Sequence, residues 1–224
     1  MAFNIIWDKS SEKTYETGVD RGVLYPQVGA EYPKGIPWNV LTAFNASPTV
    51  AESTPLYADN IKYLNLVSAE EFNYSIEAYT YPKEFEECDG SKEAAPGVTI
   101  GQQDRKPFGF SCRTIVGNDT EGSGHGYKLH LVYNSLAAPS EKGYSTVNDN
   151  PEAITFSWEC KTTPVEVVVD GFDCKPTATM TIDSREADPA KFAELEKILY
   201  GEGETEGRLP LPTEVINLFK GESA

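Results

Sequence analysis

The residues that most often perform chemistry are few in this chain of 224 residues, and their spacing matches no familiar site. The two histidines are His125, in a glycine-rich stretch, and His130, in a strand-like segment. A serine hydrolase would need one of them as its base, yet the sequence contains no GxSxG nucleophile motif. It also lacks a Walker A loop and a GxGxxG motif. The sequence therefore predicts neither a nucleophilic nor a nucleotide-binding site.

Carboxylates are abundant, and four of them cluster at Glu84, Glu86, Glu87 and Asp89. Two well-placed carboxylates can serve a glycosidase, and oxygen ligands can hold calcium. The spacing does not match a calcium loop, and the segment is more typical of a solvated acidic turn. An acidic glycosidase therefore remains one of three hypotheses about function, beside the two that follow from the strand pattern and the resemblance given below.

The four cysteines, Cys88, Cys112, Cys160 and Cys174, show no CxxC spacing. Residues 1–8 lack the basic and apolar regions of a signal peptide, so we expect no export and reduced thiols. Only the two histidines could complete a zinc ligand set. We predict free thiols, no metal and no cofactor.

The charge balance restricts the partners. Lys and Arg number 19 against 35 Asp and Glu, giving a net charge of −16. Nucleic-acid binding needs clustered cations, so this balance disfavours it. No apolar run reaches the roughly 18–20 residues that a membrane-spanning helix requires. We expect a non-enzymatic protein that binds neither DNA nor membrane specifically.

The elements that would position any site are mainly strands. Apolar and polar residues alternate with a period of two, which is typical of half-buried strands. The alternating segments are residues 20–25, 61–67, 71–78, 108–114, 127–133, 154–160 and 177–183. Residues 117–124 are expected to form a mobile, solvated hairpin loop. The sequence therefore predicts a mainly β fold.

The stretch at residues 26–60 is rich in proline and has weak periodicity, so we expect a long loop there. Trp38 and Phe44 argue against a flexible linker. Two interpretations remain open: the segment packs over its own domain, or it docks on a neighbouring subunit.

A helix is predicted at residues 188–200. Asp188 is a good N-cap, Pro189 suits the first turn, and Gly201 suits the position past the end. Phe192 and Leu195 begin an apolar stripe on one side. A shorter helix is expected within residues 210–219.

Several ungapped segments resemble the major tail tube proteins of long-tailed (siphovirus-type) bacteriophages. They are residues 56–64, 77–82, 96–109, 126–133, 151–159, 163–165, 182–184 and 209–212. The resemblance runs from about Val19 to Phe219, nearly the whole chain.

The resemblance implies a single tail tube domain over residues 1–224: a β-sandwich or partial barrel with a flanking C-terminal helix and a long stacking loop. It further implies hexameric rings that stack into the tail tube through an N-terminal arm (residues 1–18) and the long loop (residues 26–60). Four strands of each subunit would join an inner barrel through which genomic DNA passes during ejection. It implies a virion component assembled in the bacterial cytoplasm, with no catalytic residues. The implied partners are copies of itself, the tape measure protein and tail chaperones, and the tail terminator and distal tail proteins.

Trp38, Phe44 and Trp7 are the candidate inter-ring contacts, because aromatic side chains commonly anchor interfaces. Phe3, Ile5 and Ile6 extend the N-terminal candidate. The main alternative is a monomeric immunoglobulin-like binding module, which would share the strand number and turn spacing. The absence of a paired-cysteine framework counts against it.

Overall fold

A computed structural model describes residues 7–49, 54–66, 69–144, 146 and 153–221. Most of the secondary structure is β. The strands are β1 (Thr14–Pro26), β2 (Ile36–Trp38), β3 (Leu41–Ala46), β4 (Thr54–Ala58), β5 (Ile61–Leu66), β6 (Asn73–Ala78), β7 (Lys92–Ala95), β8 (Val98–Ile100), β9 (Phe108–Asn118), β10 (Gly122–Ala137), β11 (Phe156–Thr162), β12 (Thr179–Asp183), β13 (Gly201–Glu202) and β14 (Thr205–Glu206). The helices are α1 (Pro189–Tyr200), α2 (Pro212–Lys220) and a short 3-10 helix at Lys83–Glu87. The mainly β fold with a C-terminal helix is confirmed.

Eight strands form one antiparallel sheet in the order β2-β1-β9-β10-β11-β6-β3, with β12 paired to β10. Strand β10 is long enough to pair with β12 at Lys128–Val132 and with β11 at Ser135–Ala137. Its register shifts between Val132 and Ser135, which is where a bulge bends a strand. The sheet therefore bends at this point of β10 instead of continuing flat.

Both faces of the central strands are buried, and the period of two assigns their side chains to two cores. In β1, Leu24 belongs to the first core, while Val23 and Tyr25 belong to the second. The first core is rich in aromatic side chains and lies inside the curved sheet. The second lies between the opposite face and the two helices. Leu129 and Leu131 of β10 meet Leu195 of α1 in this second core.

Local sequence sets the ends of α1 as expected. The Asp188 carboxylate accepts hydrogen bonds from the backbone N–H groups of Ala190 and Lys191, at 2.9 and 3.1 Å. Gly201 ends the helix with a positive φ of 83°, a conformation that favours glycine. Phe192, Leu195 and Leu199 are the buried residues of α1.

The predicted long loop at residues 26–60 is wrong as a single loop. Strand β2 pairs with β1, and β3 pairs with β6 as the last strand of the large sheet. Strand β4 pairs with β5 in a separate hairpin. Proline and weak alternation concealed these strands in the sequence. Strands β2 and β4 each contain a proline, which is tolerated because both are short edge strands. The predicted loop at residues 117–124 is also shorter, since β9 continues to Asn118 and β10 begins at Gly122.

Candidate functional site

The two histidines serve separate polar clusters and do not converge. His130 is half-buried between neighbouring strands, hydrogen-bonded to Thr114 at 2.8 Å and to Thr181 at 3.2 Å. Burial lowers the pKa of His130 below its usual value. His125 pairs with Glu121, with 2.7 Å between the ring nitrogen and the carboxylate. Among the described residues, neither ring is hydrogen-bonded to a serine or cysteine side chain.

One member of the acidic cluster, Asp89, forms a buried ion pair. Asp89 was expected in a solvated turn, but its side chain is only 8% exposed. It is 2.5 Å from the Lys142 ammonium and 3.6 Å from the Arg105 guanidinium. Burial opposes the charge on Lys142, but the hydrogen bond that Lys142 donates to Asp89 and the charge of that carboxylate raise the Lys142 pKa. This ion pair fastens the segment after β10 to the segment after the 3-10 helix.

The thiols are also structural. Cys88, Cys112 and Cys160 are buried and free, and Cys174 is half-buried and free. Burial raises the pKa of Cys88 and of Cys160 to about 12. Among the described residues, no group of three or more His, Cys, Asp or Glu side chains is arranged to hold a metal ion. Neither described helix is long and apolar enough to cross a membrane.

Trp38 lies in the chain's own core, which corrects its proposed role as a docking anchor. Its side chain is 2% exposed, and its indole N–H donates to the Thr80 carbonyl at 2.9 Å. Its ring centroid lies 4.5 Å from that of Phe85 and 5.5 Å from that of Trp158. A side chain so enclosed is not available to another subunit, so for Trp38 the interpretation of packing within its own domain holds.

Phe44 and Trp7 differ from Trp38. Phe44 is partly buried, with its ring stacked 5.9 Å from Phe110 and tilted 5.3 Å from Tyr74. Trp7 is 68% exposed, at the start of the described residues. Phe3, Ile5 and Ile6 lie outside the described residues. An inter-ring contact by Trp7 or Phe44 stays a prediction.

The most exposed apolar element is the β4–β5 hairpin, and every described residue in both of its strands is exposed. The register pairs Leu56 with Leu64, Ala58 with Ile61 and Thr54 with Leu66. Since cross-strand partners share a face, one face of the hairpin is almost wholly apolar. The other carries Tyr57 opposite Lys62.

An exposed apolar hairpin of this kind is energetically unfavourable in a protein that stays monomeric. A two-stranded hairpin is marginally stable in water, and exposed apolar patches mark interaction sites. Ile61 is 70% exposed, Tyr57 69% and Tyr63 78%. The sequence analysis assigned strand character to residues 61–67 but treated the preceding residues as loop. The alternation alone could not reveal that neither face of this hairpin meets the core.

A second exposed surface is the outer face of β3, β6 and β11, which neither helix covers. Register places Asn45, Ser75 and Glu159 side by side across the three strands. The Asn45 amide donates to Ser75 at 3.2 Å and to Glu77 at 3.4 Å. The face is mainly polar, with Ala43 beside Glu77 and Lys161 beside Asn73. Strand β3 has no further strand paired to its outer edge among the described residues.

The structural neighbours of the chain among solved structures include two proteins of tail-like assemblies. One is the sheath/tube terminator of an extracellular contractile injection system (PVC) in its extended state, at 10% identity and a TM-score of 0.33 over 75% of this chain and 97% of the other. The other comes from the baseplate of the anti-feeding prophage (AFP), at 8% identity and a TM-score of 0.33 over 80% of this chain and 97% of the other. No family model and no curated protein matches the chain. A likeness at this TM-score supports no conclusion about function.

Proposed function

We propose that this chain is a non-enzymatic structural subunit that assembles with copies of itself into stacked hexameric rings, forming a tube of the phage-tail type. The observation that carries the proposal is the β4–β5 hairpin. Leu56, Leu64 and Leu66 are 42%, 47% and 52% exposed on one face of it. Burial of that face against another copy would remove this apolar surface from water. The sequence resemblance to tail tube proteins is the reason for proposing stacked hexameric rings as the form of the assembly.

The uncovered polar face suits the inside of such a tube. Glu77, Glu159 and Lys161 lie on it, among uncharged Asn and Ser side chains, so these charges sum to a negative value. A lumen with a net negative polar surface repels phosphate instead of binding it. In this proposal β3, β6 and β11 line the lumen, and DNA passes without specific contacts.

The free edge of β3 supports closure between subunits. An unpaired edge strand offers backbone N–H and C=O groups to another chain, and closing a barrel removes such edges. Ring formation through β3 would continue the sheet of one subunit into the next. The resemblance also implies further partners: the tape measure protein, tail chaperones, the tail terminator and the distal tail proteins.

Electron microscopy of the purified protein tests this function. Negative stain of concentrated protein should show rings or filaments of uniform width, and light scattering should show a mass that rises with concentration. The immunoglobulin-like alternative predicts a monodisperse monomer. A monomer with no rings or filaments up to the solubility limit would overturn the proposal.

A further inference from the structure

A pocket of about 550 Å³ lies where three elements meet: β1, the connection from β2 to β3, and the end of α1. Val19 and Leu41 contribute apolar walls, and Arg21, Asn39 and Tyr200 contribute polar groups. Binding sites for small molecules are typically of this size and combine an apolar lining with a few polar groups. The proposed function assigns no role to this pocket, so a ligand here would be a further function of the chain.

The backbone is strained on two walls of the pocket. Arg21 and Val40 have φ angles of 50° and 60°, in the left-handed region that arginine and valine rarely adopt. Val40 is the one β-branched residue with a positive φ in the described part of the chain. Arg21 lies in a bulge, where the register of β1 with β9 shifts between Asp20 and Val23. Strained residues cluster at binding sites, and bulges commonly re-aim a side chain beside one.

Neighbouring contacts hold Val40 in its strained conformation. The Val40 carbonyl accepts the Tyr79 N–H at 3.2 Å, and the Trp38 indole N–H donates to the Thr80 carbonyl at 2.9 Å. Gly22 lets this corner lie close to β1, since a Cβ added there would be 3.3 Å from the Trp38 carbonyl oxygen. The connection from β2 to β3 is therefore a fixed wall of the pocket.

The charged groups around the pocket favour a ligand that accepts hydrogen bonds. Asp20 and Arg21 are the charged lining residues, and each has a partner outside the lining, so the formal charges sum to zero. Both carboxylate oxygens of Asp20 accept from Arg113, at 2.7 and 2.5 Å. Arg21 contacts Glu196 through one nitrogen, at 3.4 Å, and its side chain is 49% exposed. A ligand would therefore find occupied acceptors but accessible donors.

Tyr200 adds a buried donor. The proton of its hydroxyl group has no acceptor among the described residues. The Arg21 guanidinium, 5.7 Å from the centre of the Tyr200 ring, offers this hydroxyl a further donor and no acceptor. Burial, reinforced by the charge of Glu196, raises the pKa of Tyr200 to about 12, so the hydroxyl keeps its proton at neutral pH. An acceptor atom of a ligand would remove the cost of this unpaired donor.

We propose that this pocket binds a small monocarboxylic acid with an apolar body, the carboxylate between Arg21 and Tyr200 and the body against Val19 and Leu41. A guanidinium group matches a carboxylate in shape and charge, and the phenol O–H donates to it as well. The apolar walls favour a body of several carbon atoms over a bare anion. The charges of Asp20 and Glu196 oppose an anion, so we expect a dissociation constant of about 0.1–1 mM.

Calorimetric titration of the purified full chain with hexanoate tests the site. Hexanoate should bind saturably, and its neutral analogue hexanamide and the short acetate should each bind at least about tenfold more weakly. Saturable binding of hexanoate should be lost if the site is wrong. Hexanamide or acetate binding as tightly as hexanoate would likewise overturn the proposal.

Two arginine variants locate the binding. Arg21→Gln should weaken hexanoate binding at least about tenfold, because it removes the charge that faces the carboxylate. Arg185→Gln is the matched control, since Arg185 also pairs with one carboxylate, that of Asp183, but is not a lining residue. It should leave the binding unchanged. Equal binding by the two variants would show that hexanoate binds elsewhere.

Removal of the Tyr200 hydroxyl gives an independent result. Tyr200→Phe should weaken hexanoate binding at least about threefold, yet the Tm of the free protein should not fall, because no partner is left unpaired. Tyr25→Phe is the contrast, since the Tyr25 hydroxyl donates to the Leu199 carbonyl at 3.0 Å and its loss should lower Tm. An equal fall in Tm in both variants would show that the Tyr200 hydroxyl is satisfied within the folded chain, and the proposal would be wrong.

The site and the proposed function are tested separately. Binding is measured on the chain in the assembly state in which it is purified. A lack of rings and filaments would overturn the proposed function alone, and a lack of hexanoate binding would overturn the ligand site alone.

Discussion

Leu56 and Leu64 lie opposite each other on one face of the β4–β5 hairpin, and both remain exposed although each strand is fully paired to the other. Cross-strand leucine pairs normally stabilise a sheet by covering its core face. Among the described residues the pair covers no core, so its stabilising contribution is expected in the assembly.

The first prediction follows from that pair. Leu56→Ser with Leu64→Ser should abolish assembly while changing Tm by no more than about 2 °C, because exposed side chains contribute little to folding stability. Thermal denaturation followed by circular dichroism and negative-stain microscopy would measure both. Val168→Ser is the control, an exposed apolar position outside the hairpin that should leave assembly intact. A large fall in Tm in the hairpin variant would show that the pair stabilises the fold instead.

The second prediction concerns Trp38. Trp38→Ala should lower the free energy of unfolding by about 3–5 kcal/mol, since it empties a core position and leaves the Thr80 carbonyl without its donor. Trp38→Phe should cost less because most of the ring contacts persist. Urea denaturation measures both. If Trp38→Ala were neutral for stability but prevented assembly, Trp38 would be an interface residue after all.

The third prediction concerns the buried ion pair of Asp89 with Lys142. Asp89→Ala should lower the free energy of unfolding by about 3 kcal/mol, because it leaves the Lys142 charge partly buried and uncompensated. The exposed Glu204→Ala is the control and should change stability by less than about 0.5 kcal/mol. Equal stability of the two variants in urea would show that water compensates Lys142.

The fourth prediction is a pH dependence from His130. Its pKa is lowered in the folded chain by burial, so the unfolded chain takes up the proton first as the pH falls. Stability should therefore decrease as the pH drops through about 6.5 and should not decrease on raising the pH. Urea titrations from about pH 8 to about pH 5 should show a steeper loss in the original protein than in His130→Gln. Parallel profiles would exclude His130 as the cause.

The fifth prediction is selective thiol reactivity. Cys174 should react with a thiol reagent at mildly alkaline pH in the native protein, because it is the least buried of the four cysteines. Cys88 and Cys160, whose pKa values burial raises to about 12, should react only on unfolding, and so should the buried Cys112. Cys174→Ser should remove the fast phase. A persistent fast phase in that variant would show that a core cysteine opens locally.

The sequence by itself determined the features that depend on neighbours along the chain. Alternation within residues 108–114 and 154–160 predicts the strands found as β9 and β11, because successive side chains point to opposite faces. Asp188 and Gly201 define the ends of α1 because caps act on the adjacent backbone groups. The absence of nucleophile and phosphate-binding motifs is likewise local information.

Only the tertiary structure decided which surfaces are left for partners. Trp38 and Tyr57 are both aromatic residues in the proline-rich stretch, and nothing in their sequence context separates them. Trp38 is 2% exposed and Tyr57 69% exposed, because β2 joins the large sheet whereas β4, among the described strands, pairs only with β5. Asp89 similarly meets Lys142 across 53 positions of sequence. Burial depends on contacts distant in the chain, so a surface that can bind another copy becomes visible only once the chain has folded.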